Sequence, residues 1–403
     1  MSDDALQLRT LAVPRALQRP TPHYRWHVGD LRTGRIWRTL DLHSTRWTTG
    51  FDGAGTFEGS HPLNGGEWPT ARSDAAPAKS FIAVSYVDDQ DIEYFIGGGP
   101  IWTSRYSDRT GVLQIGAAAL GSYFDHRKVL PVLGANQNPA EASVTYTGAQ
   151  LGLIAKRLVQ LAQSHTGGNL PIVLPTDASL GGTGDIHTRT YPGYELGWVG
   201  ERLRQLSDVD GGPEIQYVPR RRTDDPRFIE WVMRIGVAPS MMLTQTGPPW
   251  VYDRTVPESG IISVDVATDG ASMTFRSWAA GQGEGKGRPI VVANAPALVD
   301  AGWPLLESEV GATDTVSSTT TLRAHARGQL AIGGSPIETW SVVAHRDTFP
   351  TVGRLRAGDW IELRLRDHNY LPDGDHDMRV LTISGGDSAD VTLALAPRLA
   401  EVA

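Results

Sequence analysis

Short apolar segments separated by glycine- and proline-rich turns dominate this sequence, and they constrain its fold more than any other feature. The 403 residues include 45 glycines and 26 prolines, which exceeds average usage, and these residues follow no fixed period. Aperiodic glycine and proline exclude a collagen-like helix and favour short strands joined by turns. Because 40% of the residues are apolar and 20% are charged, the chain can bury a sizeable core.

Composition also excludes several classes of protein. The chain has no cysteine, so disulfides, thiolate zinc sites, iron–sulfur clusters and cysteine nucleophiles are excluded. The net charge of −8 argues against a nucleic-acid-binding function, because proteins that bind the phosphate backbone usually carry a positive field. We expect no transmembrane helix, because no apolar run approaches about 18 residues. We also expect no secretory signal, because residues 1–4 are acidic and no apolar stretch follows them.

The N-terminal third is predicted to be an arm followed by a β module. Residues 1–22 form the arm, since Pro14, Pro20 and Pro22 interrupt any regular element. Residues 23–145 form the module, which the turn signals suggest is a small barrel or sandwich. A short helix is predicted over 117–126. The predicted strands are 35–42, 81–87, 92–96, 101–106 and 112–115, with a Gly-Gly-Gly-Pro turn at 97–100 and a hairpin loop at 107–111.

Residues 146–335 are predicted to form an α+β module. Two apolar stripes at spacings of 3, 4 and 3 indicate amphipathic helices. The stripes are Leu151, Ile154, Leu158 and Leu161, with Thr147 as N-cap, and Leu196, Val199, Leu203 and Leu206. A strand at 214–218 is predicted to pair with one at 228–235. We further predict a hairpin of 261–266 with 273–278, a helical turn at 296–301 and a helix over 316–330.

Residues 336–403 return to β structure, and no internal repeat is evident. Strands are predicted at 339–345, 360–366, 378–383 and 391–395, and the second of these alternates apolar and charged residues. The sequence therefore predicts a mostly β chain in which two β modules bracket an α+β module.

Four segments resemble known sites without meeting the requirements of those sites. The glycine-rich stretch 281–287 lacks the Ser/Thr of a phosphate loop, and 181–185 neither follows a strand nor directly opens a helix. Residues 373–377 gather acidic side chains and a histidine, but their spacing indicates a turn and not a calcium loop. His23 and His27 have the spacing of zinc-binding histidines but no intervening glutamate.

No catalytic constellation is recognisable either, because G-x-S-x-G is absent and no two carboxylates stand out. We therefore predict no catalytic, cofactor-binding or metal-binding residues and no enzymatic activity. The basic run 219–222 is predicted to be a self-neutralising loop at a hairpin tip, with a subunit contact as the alternative. The 12 tryptophans are expected to be mostly core residues, with some acting as assembly anchors.

Three separated parts of the chain, taken in order, resemble one family. They are 102–111 followed by 117–120 and 122–127; 189–196 followed by 206–207 and 211–214; and 352–353 and 358–359 followed by 372–381. This succession is similar to the minor tail proteins of siphophages infecting actinobacteria, which include the baseplate hub or tail-associated protein.

The resemblance implies a specific architecture and function. It implies a homotrimer in which two tail-tube-like β-barrel modules per chain, 23–145 and 336–403, form a ring that continues the tail tube. The protein would be located in the virion at the tail tip, after assembly in the host cytoplasm. Its partners would be the distal tail protein, the tape measure protein and other tail-tip proteins. Phage DNA would pass without specific binding, and contact with the host cell envelope is possible.

Two other functions remain open at this stage. One is a cell-wall hydrolase carried at the tail tip, and the other is a carbohydrate-binding or receptor-binding tail module. Because no segment is left over for a separate catalytic domain, the sequence favours the structural hub. No cofactor is expected.

Overall fold

The fold is known from a computed structural model, which describes residues 21–63, 68–180, 186–209, 211–310 and 319–398, without the side chains of 321, 331 and 332. The predicted arm at 1–22 and the glycine-rich stretch 181–185 therefore lie almost wholly or wholly outside the described residues. Contacts divide the chain into two units, Met1–Ser263 with Val342–Ala403, and Val264–Ser341. No helix in the described residues is long and apolar enough to cross a membrane.

Strands make up most of the regular structure, so the predicted mostly β class with an α+β part is confirmed. The strands are β1 (His23–Asp30), β2 (Ile36–Leu40), β3 (His43–Thr49), β4 (Gly55–Pro62), β5 (Ser80–Val87), β6 (Glu93–Ser107), β7 (Val112–Ala118), β8 (Ser143–Ala149), β9 (Ile172–Val173), β10 (His187–Pro192), β11 (Ile215–Arg221), β12 (Ile229–Ile235), β13 (Trp250–Asp253), β14 (Ile261–Asp269), β15 (Arg276–Ala280), β16 (Ile290–Asn294), β17 (Glu307–Glu309), β18 (Ile337–His345), β19 (Trp360–Leu365), β20 (Gly374–Gly386) and β21 (Asp390–Pro397).

Helices are fewer, and most of them are short. They are α1 (Ala71–Asp74), α2 (Leu151–Ser164), α3 (Asp177–Leu180), α4 (Val199–Ser207), α5 (Pro296–Asp300) and α6 (Thr319–Gly333). The helix predicted over 117–126 is a 3₁₀ helix at Leu120–His126.

The largest sheet joins strands from both ends of the chain. Its order is β14-β18-β21-β20-β3-β4-β7-β6-β5-β1-β2, and β19 pairs with both β20 and β13. The strands of the two predicted barrel modules meet where β20 pairs with β3. Within the described residues the first and last strands of this order do not pair with each other. The two predicted modules therefore do not form two separate closed barrels. The module boundaries themselves remain predictions.

Helices α2 and α4 pack in one hydrophobic core with β11 and β12, as the apolar stripes predict. Leu151, Ile154 and Leu158 are almost completely buried in this core. Two details of the prediction are wrong. Thr147 belongs to β8, and Gln150 precedes α2 without a side-chain cap. Leu196 has a left-handed backbone conformation and is exposed, so α4 begins only at Val199.

Strand β6 runs through the Gly-Gly-Gly-Pro segment that the sequence predicts as a turn. The three glycines lie in close packing, where a side chain has no room. A Cβ on Gly98 would lie 2.5 Å from the Ile82 carbonyl oxygen, and one on Gly99 would lie 2.2 Å from that of Ala118. Glycine is required here because backbones and rings approach closely, and not because the chain reverses.

The second unit has its own small sheet, in which β15 lies between β16 and β17. The predicted hairpin of 261–266 with 273–278 is therefore wrong, because both edges of β15 are occupied and β14 lies beside β18 instead. Helix α6 covers one face of this sheet, where Leu322 and Ala326 contact Ala279, Val291 and Ala293.

Candidate functional surface

Strands β3, β4, β7 and β6 lie side by side and present one polar face to solvent. Because successive side chains of a strand alternate between faces, Trp47, Phe57 and Ile115 are buried while Glu58 and Gln114 are exposed. Arg46 and Arg105 are also exposed. This face carries charges of both signs among hydroxyl and amide groups.

A cavity of about 370 Å³ opens on this face. Gly116 forms part of its lining and lies between Glu58 of β4 and Thr103 of β6 in the strand register. In the adjacent row Gln114 lies between Ser60 and Arg105. Since Gly116 has no side chain, it leaves a hollow, and a Cβ there would lie 2.5 Å from Thr103 Oγ1. The cavity offers hydrogen bonds from hydroxyl, amide, carboxylate and guanidinium groups, but it has no aromatic platform.

A second polar centre surrounds Glu93 at the start of β6. Its Oε1 lies 2.7 Å from His27 Nε2 and accepts a 2.7 Å hydrogen bond from Ser85 Oγ. Its Oε2 accepts a 2.7 Å bond from Arg221 Nε. Burial by itself would raise the pKa of Glu93, but the bonds from His27 and Arg221 outweigh it and lower the pKa to about 2. This centre connects β1, β5, β6 and β11.

The prediction that the basic run 219–222 is a loop is only partly right, because residues 219–221 form the end of β11 and pair with β12, and only Arg222 lies in the hairpin loop. This end of the hairpin neutralises its charges through three ion pairs: Arg220 with Glu230 across the strands, and Arg222 with Asp224 and Arg227 with Asp225 in the loop. Arg221 departs from this pattern because it pairs with Glu93 of β6. The sequence gives no signal for that pair, since the partners belong to distant strands.

A third centre connects the α+β part to the C-terminal strands. Arg379 of β20 donates to both carboxylate oxygens of Glu214, with a 2.6 Å bond from Nη1 to Oε1. The backbone N–H of Leu243 also donates to Glu214, at 2.7 Å. Asp52, in the β3–β4 turn, accepts bonds from Ser207 Oγ and from the backbone N–H of Ile215. Ser207, Glu214 and Arg379 lie in the segments that carry the family resemblance, but no local pattern in the sequence predicts that Glu214 and Arg379 contact each other.

The segments that resemble known sites are loops and strands. Residues 281–287 lie in the β15–β16 hairpin loop. The turn predicted at 373–377 is wrong for most of that stretch, because residues 374–377 belong to β20 and pair with β19, and only Asp373 lies in the β19–β20 connection. There its carboxylate accepts a bond from the backbone N–H of Asp367. His23 and His27 lie in one strand, where four residues span about 13 Å, so they cannot share a metal ion. Across the described parts of the chain, no group of three His, Asp or Glu side chains could hold a metal.

Comparisons with known proteins add evidence on the fold. No family model and no curated protein matches the sequence. Several solved structures match over almost the whole chain, and two of them are tail proteins with a TM-score above 0.5. The tail protein from Neisseria meningitidis has 16% identity and a TM-score of 0.53, and the match covers 93% of this chain and 96% of that one.

The second structure is the 43 kDa tail protein of prophage MuSo2 from Shewanella oneidensis. It has 10% identity and a TM-score of 0.54, and the match covers 93% of this chain and 98% of that one. This chain shares the fold of these two tail proteins. At such low identity the likeness extends to the fold alone.

Proposed function

We propose that this protein is a structural component of a phage tail tip, a baseplate hub that closes or continues the tail tube and forms part of the channel for DNA ejection. The observation that supports the proposal is the fold shared with two tail proteins over 93% of the chain. We propose a non-enzymatic role, located in the virion at the tail tip after assembly in the host cytoplasm. The finer assignment to siphophages infecting actinobacteria is part of the same proposal and rests on the sequence resemblance.

We further propose that three copies form a ring. Its partners are the distal tail protein, the tape measure protein and other tail-tip proteins, with possible contact to the host envelope. A ring places the same surface of each copy towards the axis and joins copies through heterologous contacts. The proposed modules 23–145 and 336–403 supply this ring, and β3–β20 pairing supports the idea because it makes the two modules one continuous sheet.

The polar face of β3, β4, β7 and β6 is our candidate for the channel wall. It carries Arg46 and Arg105 against Glu58, so its charge is mixed. Strong phosphate binding needs clustered lysine and arginine, which this face does not provide. A hydrated wall of this kind would let DNA pass without holding it.

The test is the position and copy number of the protein in purified tails. We expect quantitative mass spectrometry, calibrated on the tape measure protein, to give a multiple of three copies, and cryo-electron microscopy to place them at the distal end of the tail. A copy number that is not a multiple of three would contradict the ring. Absence of the protein from tail tips would overturn the whole proposal.

A further inference from the structure

An exposed aromatic patch lies at one end of the larger unit. Phe349 is 60% exposed, and the Arg354 guanidinium lies 5.3 Å from its ring centre. The same guanidinium lies 5.5 Å from the ring of Tyr94, so Arg354 holds both rings in place. The rings of Trp250 and Phe349 pack edge to face, with their centres 5.7 Å apart. The patch is therefore an ordered surface and not a set of independent side chains. We call it the Phe349 patch.

Acidic groups surround the Phe349 patch. Asp347 is two residues before Phe349 and accepts a hydrogen bond from the hydroxyl of Tyr86. Tyr86 of β5 lies opposite Tyr94 of β6, which belongs to the patch. The loop between these two strands contributes Asp88, Asp89 and Asp91. The β20–β21 turn, with Asp387 and Asp390, lies beside Arg346, because the backbone N–H of Arg346 donates to the Ala389 carbonyl. These six aspartates outnumber the three arginines at this end of the unit, which are Arg46 opposite Gly386, Arg346 and Arg354.

The chain enters the described structure at the edge of this patch. The Pro22 carbonyl accepts a 2.9 Å bond from Arg346 Nη2, and Phe349 follows Arg346 by three residues, at most about 11 Å of chain. The preceding residues 5–20 contain three arginines and no acidic residue. They also contain five large apolar side chains. The arginines are Arg9, Arg15 and Arg19, and the apolar residues are Leu6, Leu8, Leu11, Val13 and Leu17.

We propose that residues 5–20 dock on the Phe349 patch of the same chain. The apolar side chains would cover the rings of Phe349 and Tyr94, and the arginines would lie against the surrounding aspartates. Charge complementarity and the short distance from Pro22 select this occupant. A short tether gives a local concentration in the millimolar range, so even a weak contact is populated within one chain before a second copy competes.

The experiment uses the full chain and its lack of cysteine, which makes engineered thiol pairs unambiguous. One variant combines Ala12→Cys with Gln90→Cys, in the acidic β5–β6 loop. The control combines Ala12→Cys with Tyr370→Cys. Tyr370 is 75% exposed and lies just before the start of β20. The turn beside Arg346 follows the other end of this strand, whose 13 residues span about 40 Å, so Tyr370 is far from the Phe349 patch. A short bismaleimide links the thiols, and mass spectrometry identifies the product.

We expect the pair with Gln90→Cys to link within one chain about tenfold faster than the control pair. Because Gln90 lies near Pro22, an undocked arm would also link to it faster than to Tyr370, so the decisive comparison is with variants that weaken docking. Arg9→Glu with Arg15→Glu and Arg19→Glu, or Phe349→Ser, should slow the linkage to Gln90→Cys several-fold, and high salt should slow it by weakening the contacts between arginine and aspartate. An unchanged rate in these variants would overturn docking. Equal rates for the two pairs would overturn docking. Cross-linked dimers in place of monomers would overturn docking within one chain and assign the patch to the arm of another copy.

Discussion

At the scale of single residues, some buried charges in this protein depend on partners from distant strands. Glu93 is the clearest case, since His27, Ser85 and Arg221 come from β1, β5 and β11. The side chain of Glu93 is only 12% exposed, so its carboxylate has few alternatives to these bonds. Its ionisation is thereby linked to the folding of the sheet.

This linkage predicts a pH dependence of stability. The pKa of Glu93 is lowered to about 2, below its unfolded value, so its contribution is complete above about pH 5 and is lost as the pH falls towards 2. With allowance for solvent screening, the contribution is about 2 kcal/mol. We expect Glu93→Gln to destabilise the protein by this amount at pH 7 in urea unfolding, and the difference from wild type to shrink between pH 5 and pH 3.

Glu230→Gln is the matched control, because it removes a carboxylate that pairs with the exposed Arg220. Such pairs contribute between about 0 and 1 kcal/mol. A difference between wild type and Glu93→Gln that stays constant over the same pH range would contradict the linkage.

Gly98 tests the close packing inside β6. In Gly98→Ala the new methyl group would lie 2.5 Å from the Ile82 carbonyl oxygen and 2.7 Å from Ala83 Cα, so the two strands must separate. We expect a loss of about 1–3 kcal/mol in unfolding free energy, measured in urea. Gly134→Ala is the control and should be nearly neutral, since nothing lies within 4 Å of its Cβ. Similar stabilities for the two variants would mean that β6 is not packed as described.

At the scale of elements, local patterns predicted most of the helices and strands but not their partners. The stripe of Leu151, Ile154 and Leu158 predicts α2, because periodicity is a property of adjacent residues. The same local reasoning misassigned the glycines of β6, which are explained by Ala83 and Ala118 on other segments.

The candidate surface could be predicted only in part for the same reason. Alternation indicates that Thr103 and Arg105 share one face of a strand. The sequence does not indicate that Gly116 of β7 lies opposite both Thr103 and Glu58, because register depends on pairing between strands.

The pair of Glu214 and Arg379 tests how elements far apart in the chain are held together. Arg379 is 6% exposed, so Glu214→Met or Arg379→Met leaves an unpaired charge in a poorly solvated site. We expect each single variant to lose about 3–5 kcal/mol of unfolding free energy. The double variant should be less destabilised than the sum of the two, with a coupling of about 1–3 kcal/mol in a double-mutant cycle.

The more solvent-accessible pair of Arg364 and Glu362, on the neighbouring strand β19, provides the comparison. Its coupling in the same type of cycle should stay below about 1 kcal/mol. Equal couplings for the two pairs would show that burial adds nothing to the Glu214–Arg379 connection.

At the scale of the whole molecule, the two ends of the chain form one sheet. Strand β20 lies at the junction, since it pairs with β21, β19 and β3. Its inward side chains Met378, Val380 and Ile383 are almost completely buried. The sequence shows two separate groups of strands and does not reveal this junction, because pairing between β3 and β20 leaves no local trace.

Together with the proposed tail-tip function, the junction predicts that residues 336–403 are required for tail assembly itself. Deleting them removes β20 from the edge of β3 and exposes the core beneath it, and an open strand edge is prone to wrong pairing. We expect the truncated protein to give no complete tails in electron micrographs of a complemented phage lysate. Leu363→Asp should also prevent tail assembly, because Leu363 is fully buried and a charge there costs several kcal/mol of folding free energy. Tyr370→Asp is the control and should leave tails intact, because Tyr370 is exposed. Complete tails that fail only to adsorb to cells would contradict the ring proposal and favour a receptor-binding role for these strands.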